Sequence, residues 1–108
     1  MSSFNDRKRG EEAKYAMDEA TEFKVMARRN KLLGLWVADQ MNLSGDEADA
    51  YAKSVVLADL EEPGDEDVFR KVWGDVTTNS LDISEAVLRE KMAALIPLAR
   101  DQIAGEAK

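Results

Sequence analysis

A chain of 108 residues without cysteine or histidine suits one domain. It excludes disulfides, thiol chemistry, the usual zinc sites and imidazole base catalysis. The net charge of −7 argues against a nucleic-acid binder, which normally presents a basic face. No apolar run approaches the ~18 residues of a membrane span, and no apolar signal core follows Met1. The expected home is therefore a reducing cytoplasm. Hydrophobic content of 44% with only 6% aromatic residues implies an aliphatic core. Charge is unevenly spread. Residues 1–31 hold eight basic and six acidic side chains, and residues 32–108 hold seven and sixteen. That pattern reads as a basic-tinged arm on an acidic body.

The chain opens with "SSFNDRKRGEEAKYAMDEA", which contains helix formers but no apolar stripe. Phe4 and Tyr15 are eleven residues apart, almost three helical turns, so they would share one face of a helix, in line with Met26 and Val37. Alone, such a helix is poor. Gly10 costs about 1 kcal/mol relative to Ala. Arg7, Lys8 and Arg9 oppose the macrodipole in the first turns. The pairs Arg7–Glu11, Lys8–Glu12 and Lys14–Asp18 all run base before acid, the weaker order. Residues 1–18 are thus predicted to be a disordered arm that becomes helical on a partner, with Phe4 and Tyr15 as apolar anchors and the arginines meeting acidic groups. A solubilising tail is the competing reading.

Four amphipathic helices with short loops are predicted over 19–108, at about 19–42, 46–61, 65–78 and 83–104. In the first, Phe23, Met26, Ala27, Leu33, Val37 and Met41 form the apolar stripe, widened by Leu32, Leu35 and Trp36. Ser44 with Glu47 reads as a capping box, as does Asp82 with Glu85. Pro63 and Gly64 break the chain, and Asp65 is placed to cap the third helix. Trp36, Trp73, Phe23 and Phe69 read as core residues. Pro97 should kink or end the last helix near Leu95–Ile96, since an interior proline costs about 3 kcal/mol. The fold class is all-α, a four-helix bundle with a flexible N-terminal arm.

No phosphate loop, dinucleotide-binding glycine motif or calcium-loop spacing occurs, and the acids in "GDEAD" and "GDED" suit helix starts. Nothing pairs a nucleophile with a base, so no enzyme, cofactor or metal is expected. Two non-catalytic alternatives remain. Arg28, Arg29 and Lys31 beside Trp36 could hold a phosphate and stack a base, giving weak ATP or ADP binding; against this stands a plain solvated face. An acidic bundle could also act as a generic protein-interaction adaptor.

The runs "FNDRKRGEEAKYAMDEATEFKVMARRNKLLGLWVADQM" and "SGDEADAYAKSVVLADLEEPGDEDVFRKV" resemble the ζ-type inhibitor subunit of the alphaproteobacterial F-type ATP synthase, over roughly Phe4–Val72 with weaker agreement at Ser84–Met92. The ordered motifs are F-x-D-R, K-Y, ARRNKLLGLW, DAYA and EEPGDEDVFRKV. "TTNSLDI" and Pro97 depart from the pattern and leave the course of the last helix open. The resemblance implies a four-helix bundle whose mobile arm inserts into the F1 head at a catalytic α/β interface, touches subunit γ and blocks ATP hydrolysis. It implies partner contacts at Phe4, Asp6, Arg7, Lys8, Arg9, Glu12, Lys14 and Tyr15. It also implies a free monomer, peripherally attached to the inner membrane through the synthase, with no direct insertion and no nucleic acid.

Overall fold

The computed structural model describes residues 18–61 and 64–106. Four α-helices follow one another: α1 (Asp18–Gln40), α2 (Gly45–Glu61), α3 (Asp65–Thr78) and α4 (Glu85–Glu106). There is no strand among the described residues, and the fold is all-α with four helices. The arm proposed for residues 1–18 lies, but for Asp18, outside the described residues.

α1 is the spine. It packs along α2 on one side and α4 on the other, while α3 rests chiefly on α2. The α1–α2 approach is very close. A Cβ added to Gly34 would stand 2.5 Å from the Ala52 Cα and 3.3 Å from Val55 Cγ2. The glycine of "KLLGLW" therefore lets α2 lie against the α1 backbone itself. Leu33, Val37, Val55, Val72, Leu88 and Met92 are buried in the same cluster, so the core is aliphatic. Phe69 and Trp73 close its edge with rings stacked at 6.0 Å and 7° between planes.

Two helix ends use the same device. Asn42 (φ 63°) and Ser80 (φ 53°) adopt left-handed backbone. Behind them, Leu43 N–H donates to Ala38 C=O at 2.9 Å and Leu81 N–H to Val76 C=O at 3.0 Å. These are Schellman closures with an apolar residue following, and they satisfy carbonyls that the helix end would leave unpaired.

The helix starts differ from expectation. The cap of α4 is Ser84, whose Oγ accepts from Val87 N–H at 3.1 Å; Asp82 lies outside and the helix begins at Glu85. Gly64 (φ 140°) precedes α3 and supplies no side-chain cap, so Asp65 is a first-turn residue whose carboxylate is engaged elsewhere. α4 also runs through Pro97 to Glu106 and does not end at Leu95–Ile96. The proline removes a donor that would have faced the Ala93 carbonyl, and Ala93 and Pro97 both lie on the exposed side where water can serve it. Buried Leu95 and Ala99 hold the helix to the bundle on either side.

Candidate functional site

The end of the bundle that holds the first turns of α1 is built differently from its middle. Val25, Arg29, Leu33 and Val37 recur at four-residue intervals on one ridge of α1, and all four are buried. Burying a guanidinium is costly unless its donors are satisfied. Here Arg29 Nε donates to Asn30 Oδ1 at 2.9 Å, Nη1 to the Met92 carbonyl at 3.1 Å, and Nη2 to Asp65 Oδ1 at 2.6 Å. Asn30, also buried, donates through Nδ2 to Asp59 Oδ2 at 3.1 Å, and Asp59 Oδ1 accepts from Gly64 N–H at 3.2 Å. One arginine and one asparagine thus tie α1 to α2, to the first turn of α3 and to the α4 backbone. No buried side-chain polar atom is left unpartnered among the described residues.

Around this node the first turns of α1 are fastened to the last turns of α4. Arg28 donates to Gln102 Oε1 at 2.8 Å and pairs with Glu106 at 2.5 Å. Arg100 pairs with Glu22 through both terminal guanidinium nitrogens, Nη1 and Nη2. Phe23 stands apart, 59% exposed, contrary to its expected place in the core.

The sequence-predicted site residues divide sharply. Phe4, Asp6, Arg7, Lys8, Arg9, Glu12, Lys14 and Tyr15 lie outside the described residues. Arg28, Arg29, Lys31 and Trp36 are described and are not brought into one pocket. Arg28 and Arg29 are engaged as above. Trp36 packs at the edge of the core with Lys91 Nζ 5.3 Å from its ring centroid. Of the four, Lys31 alone lines the open depression of about 370 Å³ that it shares with Asp49, Ala52, Lys53 and Val56. Sequence reasoning missed the buried role of Arg29. The signal was present in its four-residue spacing from Val25 and Leu33.

Two clusters, one half-buried and one exposed, perturb titration. Tyr51 donates to Asp75 Oδ2 at 2.8 Å. Burial, and then that bond and charge, push its phenol far above the ordinary range. Arg89 lies 3.9 Å from the Phe69 ring centroid and grips Glu66 at 2.9 and 3.3 Å. The bond holds the Glu66 carboxyl below its usual value and raises the guanidinium. Asp46 and Glu47 open α2, and Asp65, Glu66 and Asp67 open α3, at the positive end of each helix dipole. No group of described residues is arranged to hold a metal ion, and no described helix is long and apolar enough to cross a membrane.

The fold and these features define a small four-helix protein whose conspicuous chemistry is charge pairing at one end of the bundle. The family model for ATPase inhibitor subunit zeta matches residues 1–102, and the chain belongs to that family. A protein structure solved by solution NMR is 52% identical and superposes with a TM-score of 0.70, over 79% of this chain and 96% of that one. No curated protein matches.

Proposed function

We propose that the chain inhibits ATP hydrolysis by the F1 part of F-type ATP synthase. Residues 1–18 enter a catalytic α/β interface as a helix and contact subunit γ, while the bundle stays outside and holds them. The observation that carries this reading is the reach of the family match, which takes in the opening segment as well as the bundle. Two further features support it. α1 is already helical at Asp18, the first described residue, so a bound helix over the preceding segment could run into it without a break. The F-x-D-R and K-Y motifs place aromatic anchors and basic groups in a segment otherwise almost free of apolar residues.

No catalytic step is needed. A rotary ATPase must cycle each α/β interface between open and closed shapes. A helix lodged in one shape stabilises it and stops the cycle. Phe4 and Tyr15 are the anchors, Arg7, Lys8, Arg9 and Lys14 meet acidic groups, and Asp6 and Glu12 meet basic ones. Rotation in the direction of synthesis would reopen the interface and release the segment, so hydrolysis is inhibited more than synthesis. The protein then sits in the cytoplasm, attached to the membrane only through the synthase.

Deletion of residues 1–18 tests the reading. The truncated protein should lose inhibition of F1 hydrolysis while its thermal midpoint stays within a few degrees of the full chain. Full inhibition by the truncated protein would show that the segment is not the effector. Capture on immobilised full chain should recover subunits α, β and γ.

A further inference from the structure

Phe23 is exposed for a geometric reason. It lies eleven residues before Gly34 and seven before Asn30, so all three fall within about 20° of one line along α1. That line faces α2: Gly34 meets Ala52, and Asn30 bonds to Asp59. The two helices run antiparallel, so this register carries Phe23 past Glu61, the last residue of α2. Among the described residues, Phe23 is thus a seam residue with no helix opposite. Leu60, 48% exposed in the last turn of α2, is the apolar α2 residue next to the gap in this register. On the other side the same turns of α1 are clamped by Glu22–Arg100 and Arg28–Glu106, so the phenyl ring is held out on a braced helix.

We infer that this Phe23–Leu60 face is a second docking contact, filled by an apolar patch on the ATPase head beside the interface that admits residues 1–18. The inference rests on the inhibitor reading above. Chain length identifies the occupant. Eight residues separate Tyr15 from Phe23, at most about 28 Å even when fully extended. Whatever grips Tyr15 is therefore delivered to the face at high effective concentration. Area argues against a second copy. A phenyl and an isobutyl group cover roughly 200–300 Å², whereas a stable pair of proteins buries about 800 Å² on each partner. Such a patch adds residence time to a complex that another segment has formed; it does not form one alone.

The test uses the full chain with purified F1. Phe23→Ser and Leu60→Ser should speed release of inhibition about tenfold and threefold respectively, with the onset rate unchanged. Val87→Ser, at an exposed apolar position in the first turn of α4 near the other end of the bundle, should leave both rates unchanged. Phe23 packs little, so its variant should melt as the wild type does. Should it not, a photo-crosslinker placed at position 23 gives a second readout and should join the chain to an F1 subunit. A Phe23→Ser release rate within twofold of wild type, or a crosslinker that captures no F1 subunit in the inhibited complex, overturns the inference. Concentration-dependent self-association abolished by Phe23→Ser does so too, because it makes the occupant a second copy. Failure of the wild-type chain to inhibit F1 at all would instead overturn the function on which this rests.

Discussion

The two halves of α1 are held by opposite means. From Leu32 to Gln40 the helix is fixed by shape: Leu33, Val37 and Ala38 are buried, and Gly34 admits the α2 backbone to contact. From Asp18 to Lys31, apart from buried Val25, it is fixed chiefly by charge and hydrogen bonds, through Arg29, Asn30, Arg28 and Glu22, while Phe23 is left bare. The first half of the helix is the one joined to the segment proposed to enter the ATPase. Polar ties with an open seam leave that end rigid in direction yet free to take a partner. A dry contact on every side would have left no surface to offer.

The largest effect should come from spoiling the shape-held half. Gly34→Leu drives a side chain into the Ala52 backbone, which cannot yield as a flexible side chain would. We expect a loss of about 3 kcal/mol in urea unfolding, because the helix–helix distance must grow. A variant as stable as wild type would mean that the close approach is not what joins α1 to α2.

The charge-held half should respond less. Arg29→Met removes three hydrogen bonds, leaves the Met92 carbonyl without that partner and uncouples α3 from α1. Because the Asp65 side chain is 57% exposed it can rehydrate, so the loss should be about 2 kcal/mol rather than the larger cost of a stranded buried charge. Arg29→Lys should recover only part of it, since an ammonium cannot reproduce the planar fork. Equal stability of Arg29→Met and wild type would reduce the node to a bystander.

Smaller still, Tyr51→Phe deletes the bond to Asp75 and should cost about 1 kcal/mol near neutral pH. Its pH dependence has a definite sign. The folded-state phenol titrates well above its unfolded value of 10.0. Its stabilising contribution is therefore complete below pH 10 and is lost as pH rises beyond it. The stability of the wild type against chemical unfolding should fall through that range, and Tyr51→Phe should flatten the slope. An unchanged slope would mean that Tyr51 titrates alike in both states.

The contrast between the halves also explains what could be read from sequence. Breaks at Asn42–Ser44, Pro63–Gly64 and Asn79–Ser80 punctuate strongly periodic segments, so four helices were legible. The placement of Phe23 was not. Periodicity assigns a face to a residue but cannot show that the facing helix stops short of it. Arg29 was misjudged for the converse reason. A charged residue reads as solvated, and its burial depends on Asp65 and the Met92 carbonyl, which are distant in sequence. Asp82 and Ser84 both offer plausible caps, and only the backbone path of the turn selects Ser84.

Amide hydrogen exchange, with the free chain and the F1-bound chain compared segment by segment, tests the central claim most directly. The account predicts that residues 1–18 and the turn containing Phe23 gain protection on binding, while Leu32–Gln40 exchanges equally slowly in both states. Residues 1–18 exchanging as fast in the inhibited complex as in the free chain would contradict it.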